Sequence, residues 1–166
     1  SDHYTISSFI VNKEYYDKSI YIIQDSDVDG ICSATIAYQF LIHLGYDKRR
    51  IIVKFHKGKQ HGLNDIYNEI LTDDNMGLVW VPDAGTNDVE ECEKLYKNGW
   101  VVLITDHHEQ DKRNPYAVMI NNQIRPKINN KALSGTGVTF KFIQHCCSSI
   151  NDNWYKTLPD MVAVAN

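Results

Sequence analysis

The residues of this chain that could do chemistry fall into a few short runs. Asp25, Asp27 and Asp29 alternate in DSDVDG, Asp83 stands in VPDAG, and TDHH sets Asp106, His107 and His108 side by side. Taken singly each is ordinary. An Asp after a strand is most often a helix cap or turn former, and a lone histidine is more often a surface or core residue than a ligand. Gathered on one edge of a fold, four or more carboxylates and two histidines would be strongly destabilising unless something positive neutralised them. Divalent cations are the natural candidates, and two ions fit the number of acids. Oxygen ligands with one or two imidazoles suit Mn²⁺, with Mg²⁺ next and zinc less apt because no thiolate is near. Two ions about 4 Å apart would clamp the attacking and leaving oxygens of a phosphoryl transfer. The chemistry these residues imply is metal-assisted phosphoester hydrolysis.

The elements that must gather them alternate along the chain. Apolar, β-branched runs at 19–25, 51–56, 78–83, 100–108 and 116–121 predict five strands. Helical spacing predicts helices over 30–44, with Gly45 as C-cap, over 61–71, from a cap at Thr86 or Asn87 through Lys97, after Ser134 as far as residue 150, and from near Leu158. Short apolar strands separated by single helices argue for a doubly wound α/β domain, a parallel sheet with helices on both faces. In such a sheet ligands bind beyond the carboxyl ends of the strands. Asp25, Asp27, Asp29, Asp83, Asp106, His107, His108 and the run Asn121–Gln123 all follow predicted strands, so the fold would bring them to one crevice.

Composition sets outer bounds. The chain has 166 residues, 17 basic and 21 acidic, for a formal net charge of −4, so no overall basic balance advertises nucleic-acid binding, although a local patch can suffice. Four cysteines (Cys32, Cys92, Cys146, Cys147) show no zinc spacing and read as reduced, buried thiols of a cytoplasmic protein. Neither a signal-peptide core nor a run of roughly 20 apolar residues is present, so no membrane association is expected. The one concentrated basic stretch comprises Lys48, Arg49, Arg50, His56, Lys57, Lys59 and His61.

DSDVDG, PDAGTND, ITDHHE, and INNQ with LSGTGVTFKF, in that order and at these spacings, resemble the motifs of the DHH phosphoesterase superfamily, and most closely its RecJ-type single-strand exonuclease branch. QHGLND also looks like a RecJ-type loop. The resemblance implies that Asp27 and Asp29, with Asp25 beside them, Asp83 and His107 are ligands of two Mn²⁺ or Mg²⁺ ions, with Asp83 bridging. It implies that Asp106 orients His107 and that His108 faces the scissile phosphate or a metal, Asp106 and His108 forming the catalytic set. Expected substrate contacts are His61, Lys57, Lys59, Arg125 and Lys127, with the amides of Ser134, Gly135 and Gly137 at a helix start presented to an anion. The implied partner is single-stranded nucleic acid, DNA rather than RNA, attacked from its 5′ end. Ile23 stands where pyrophosphatase-type members carry a histidine ligand. DMVAVAN (160–166) resembles the approach to the family's last aspartate ligand, so the expectation is a single catalytic domain ending before that motif and lacking the accessory domain, with a missing C-terminal part or a protein partner completing it.

Three other readings fit parts of the pattern. A phosphodiesterase for short oligonucleotides or cyclic dinucleotides shares the motifs. A phospho-receiver domain shares the acids and Thr105 but needs a Lys where Asn121 and Asn122 stand. A non-catalytic DHH module would use the same face to bind a partner.

Overall fold

A computed structural model describes residues 2–56, 61–124 and 130–165, the first three as backbone alone. The chain runs α1 (Asp2–Val11), β1 (Ile20–Gln24), α2 (Val28–His43), β2 (Ile51–Phe55), α3 (Ile66–Ile70), β3 (Leu78–Pro82), α4 (Val89–Lys97), β4 (Val101–Asp106), β5 (Val118–Asn121), α5 (Gly135–Ser149) and α6 (Pro159–Ala165), with 3₁₀ turns at Lys48–Arg50 and Trp154–Thr157. All strand pairings are parallel, in the order β2-β1-β3-β4-β5. The chain therefore leaves β1 to one side for β2 and to the other for β3, and the crevice above that reversal is where such sheets bind ligands. The predicted α/β architecture is the observed one.

Alternation along the strands explains the two covered faces. Ile20, Ile22, Leu78, Trp80 and Leu103 face a core shared with α1, α2 and α5. Tyr21, Ile23, Val79, Val81, Val102 and Ile104 face a second core under α3 and α4. Side chains on a strand alternate between faces, so a strand that is apolar at every position must be buried on both. Thr105 belongs to the first face. Its hydroxyl accepts from Trp80 Nε1 at 3.0 Å and lies 2.8 Å from Thr139 Oγ1, so it is a core residue rather than a receiver-type switch.

Helix starts matter more here than helix lengths. Asp27 caps α2 by accepting from the Gly30 amide at 2.8 Å, which starts that helix two residues ahead of the predicted Gly30. Leu44 ends it, and Gly45 follows at φ +85°. α3 is shorter than expected because Gly62 (φ +65°) and Asn64 (φ +21°) break the helical path. α1 escaped prediction because DHYTISSFIV is rich in Ser, Thr and β-branched residues of modest helix propensity. Ile6 and Ile10, buried in the first core, hold it. The four cysteines are free and buried, and among the described residues no helix is long and apolar enough to cross a membrane.

Gly30 sets how closely α2 follows β1. A Cβ there would stand 2.5 Å from Asp25 Cβ and 2.7 Å from the Asp25 carbonyl oxygen. Gly30→Ala is expected to destabilise the fold by about 1–3 kcal/mol, read from urea-denaturation midpoints. A wild-type midpoint would contradict this packing.

Candidate metal centre and catalytic site

Asp83 lies at the middle of the site. It leaves β3 in the left-handed region, at φ +71°, where a non-glycine residue carries about 1–2 kcal/mol of strain. Its amide still donates to the Thr105 carbonyl at 2.8 Å. The turn directs its carboxylate inward, against Gly135, where a Cβ would meet Asp83 Oδ1 at 2.0 Å. The residue is 1% exposed, and Oδ1 has no hydrogen-bond partner. His107 Nε2 lies 3.3 Å from that oxygen without hydrogen-bond alignment. Burial pushes the Asp83 carboxyl up to about 7, with His107 opposing and Asp29 and Asp27 adding to the rise. The same neighbourhood raises His107, chiefly through Asp83.

Two overlapping groups of ligand atoms, each within 4.8 Å of one another, share Asp83: Asp25 and Asp27 complete one, while Asp106, His107 and His108 complete the other. The fit to divalent cations is good in donor type, oxygen with imidazole, and in the unpartnered buried oxygen that Asp83, common to both groups, carries. Asp106 is the exception. It is 0% exposed and its oxygens are occupied: Oδ2 accepts from Thr86 N and Oγ1 at 3.1 and 2.5 Å, and Oδ1 from His107 N, His108 N and His108 Nδ1 at 2.7, 3.3 and 2.7 Å.

This corrects one expectation. Asp106 holds the ring of His108, not that of His107, which it meets only at the backbone amide. Burial works to raise the Asp106 carboxyl, but hydrogen bonds from His108 and Thr86 and the charge of His108 prevail and hold it at about 2. Reciprocally, Asp106 lifts His108 to about 9 against the effect of burial. Those amide bonds also turn the two histidines out of β4, which ends at Asp106 rather than at residue 108.

Asp29 has a different partner from the predicted one. Its two oxygens accept from the amides of Gly135 and Thr136, each at 2.8 Å, and Thr136 Oγ1 donates to its carbonyl at 2.9 Å. Burial tends to raise its carboxyl, yet these bonds hold it below the ordinary range. Asp29 stands outside both ligand groups, although its Oδ2 is 3.7 Å from His107 Nε2. The expected anion cradle of Ser134, Gly135 and Gly137 is therefore already filled: Asp29 is the anion at Gly135, and the Gly137 amide donates to Ser134 Oγ at 3.2 Å.

Other expectations divide similarly. His61 reaches the site, its Nδ1 at 2.7 and 2.9 Å from the oxygens of buried Asp25. Lys48, Arg49 and Arg50 precede β2, at the amino end of the sheet, opposite the acids. Lys57, Lys59, Arg125 and Lys127 lie outside the described residues. Thr86 is no helix cap: besides Asp106 its hydroxyl serves Asn121, whose Nδ2 donates to Thr86 Oγ1 at 2.9 Å and to the His108 carbonyl at 2.8 Å. Asn87 pins the next loop, donating to the Glu109 carbonyl and accepting from the Asp111 amide. These partners carry no spacing signal, because they act across strands. A cleft of about 330 Å³ opens beside the centre, with Asp25, Asp27, His61, Asp88, Asp106 and His108 on its walls.

With this geometry the chain can be placed among known proteins. It belongs to the DHH family, whose N-terminal domain matches residues 19–165. It is 35% identical over 147 residues to YorK of Bacillus subtilis (strain 168), named as a candidate SPbeta prophage-derived single-strand DNA-specific exonuclease, a match covering 89% of this chain and 25% of YorK. It is 28% identical over 128 residues to the single-stranded-DNA-specific exonuclease RecJ of Haemophilus influenzae, covering 74% of this chain and 22% of RecJ. In fold it resembles RecJ from Thermus thermophilus in complex with Mn²⁺, with a TM-score of 0.79 at 23% identity over 96% of this chain and 22% of that one. A manganese-bound exonuclease RecJ gives 0.80 at 23% identity, over 96% and 40%. The chain spans about a quarter or less of the length of these curated relatives.

The His108 assignment has a direct check. Asp106→Asn is expected to bring the His108 titration, followed by NMR of its ring protons, down from about 9 toward the ordinary histidine value of about 6.5. Since a raised histidine stabilises the fold below its unfolded pKa and loses that stabilisation as pH rises through its folded one, the pH-dependent part of the variant's deficit should be full near pH 6 and fade above about pH 9. It lies over a constant cost from the weakened bonds to Thr86 and His107. A deficit that grew with pH would contradict the assignment.

Proposed function

We propose that this chain carries the catalytic centre of a metal-dependent phosphodiester hydrolase acting on single-stranded DNA, an exonuclease working from the 5′ end. The observation that carries this reading is that Asp83, the residue shared by both ligand groups, is buried with one carboxylate oxygen unpartnered. An ionised carboxylate so placed costs several kcal/mol unless a cation meets it. Asp27, Asp83 and His107 would hold Mn²⁺ or Mg²⁺, with Asp25 a further member of the first group. Manganese-bound RecJ of the same fold supports this choice. When bound, the cations supply Lewis-acid polarisation of a phosphoryl oxygen and neutralise charge on the leaving group.

The chain's own residues orient the substrate and handle protons. Among the described residues the cleft walls include no lysine or arginine, so the chain alone offers an anion little attraction and cations must provide it. His108, fixed through Nδ1 by Asp106 and more than half exposed, lines the cleft with its other ring nitrogen free of Asp106. Protonated at neutral pH, it donates to the phosphate and steadies the departing oxygen. His61 contributes to the wall beyond Asp25. The named activities of YorK and RecJ support single-stranded DNA as the substrate.

The test is Mn²⁺-dependent release of mononucleotides from a 5′-phosphorylated single strand. Asp27→Ala and His107→Ala should each abolish it with unchanged far-UV circular dichroism, and calorimetry should show weakened Mn²⁺ binding. Turnover like wild type in either variant would refute the assignment. Hydrolysis of a dinucleotide or cyclic dinucleotide, with the long strand left intact, would replace the exonuclease by a small-nucleotide phosphodiesterase. Tight Mn²⁺ binding without any hydrolysis would favour a binding module.

A further inference from the structure

We propose that Asp88 and His56 are positioning residues for His61, holding its loop so that the imidazole forms the wall of the cleft on the β2 side. The proposal deepens the reading of this cleft as the substrate site and rests on it. Asp88 begins α4 yet makes no capping bond to its own helix. Its Oδ2 instead accepts from the Leu63 amide at 2.7 Å, 25 residues back in the chain. One residue earlier, the Gly62 carbonyl lies 2.6 Å from Nε2 of buried His56, so that ring donates to it. Leu63 is fully buried in the second core. The turn carrying His61 is thus fixed on both of its peptide faces and anchored by the next side chain.

Gly62 shows how closely Asp88 approaches. It stands at φ +65°, and a Cβ would lie 2.1 Å from Asp88 Oδ2. A helix cap ordinarily stabilises its helix, so a carboxylate that leaves its own helix uncapped to hold a distant loop indicates that the loop's position is what the site requires. His61 itself is 62% exposed in its side chain, too little packed to keep its place by burial. Its order comes from Asp25 on one side and from this clamp on the other. β1 and β3 separate it from His108 in the sheet order, so the two imidazoles bound a cleft between them in which a strand could be gripped.

The first readout needs no metal and no activity. In Asp88→Ala, the Leu63 amide should exchange with deuterium about ten- to hundredfold faster, the scale of one lost hydrogen bond to a charged group, and the His61 ring signals should move toward those of a free histidine. Asp88→Asn keeps an acceptor oxygen and should restore both, while Gly62→Ala should reproduce the defect with Asp88 intact. Unchanged exchange and ring signals in a folded Asp88→Ala protein, or in Gly62→Ala if the former fails to fold, would overturn the proposal. The second readout uses the Mn²⁺-loaded chain and a 5′-phosphorylated single strand. Asp88→Ala should raise KM with little change in kcat, and in a His61→Ala background it should have no further effect. Losses that multiply in the double variant would show that Asp88 acts other than through His61. Should the wild-type chain cleave no single strand, the proposed substrate fails, and the exchange and ring measurements still decide the clamp.

Discussion

A carboxylate cannot be buried beside other carboxylates for nothing, and Asp83 is held in that situation by several separate features of the chain. Its left-handed backbone carries strain, its pocket exists only because Gly135 has no side chain, and one of its oxygens has no partner. Each feature works against stability on its own. Together they describe a fold that keeps one acid dry, fixed and available, with Asp27 and His107 arranged about it. That arrangement gains its sense from a positive charge supplied from outside the chain.

The rest of the domain can be understood as support for this centre. Parallel strands in the order β2-β1-β3-β4-β5 deliver their ends to one edge, and the two cores make that edge rigid. Asp29 ties the start of α2 to the start of α5 through two amides, which places Gly135 against Asp83. Its charge also meets the positive end of a helix, where anions are favoured. On the far side, Asp106, Thr86 and Asn121 form a buried chain of hydrogen bonds that sets the histidine turn. Buried polar networks of this kind are stabilising only when every member is satisfied, and the unpartnered Asp83 oxygen lies outside this one.

Much of this was legible in the residues. Apolar runs marked the strands, their carboxyl ends marked the crevice, and the repeated acids marked the need for cations. What could not be read was which partner each acid would take. Asp29 and Asp27 look alike in DSDVDG, but one step of helix geometry turns Asp29 toward α5, more than a hundred residues away, and leaves Asp27 capping α2 at the rim. His107 and His108 are neighbours, and only the turn after β4 decides which ring meets Asp106. Thr86 has the sequence of a cap and the position of a strand-crossing ligand to Asp106. Lys48–Arg50 adjoin the predicted phosphate-binding loop in sequence, yet a strand about 17 Å long lies between them and the crevice, because they precede β2 rather than follow it.

The central claim concerns one oxygen, so the most direct measurement looks there. A crystal of this chain grown with Mn²⁺, with data collected at the manganese absorption edge, should give an anomalous peak within about 2.0–2.6 Å of Asp83 Oδ1, with Asp27 or His107 also in its coordination shell. A well-ordered Asp83 with no anomalous signal beside it, at manganese concentrations that saturate other carboxylate sites, would contradict the account.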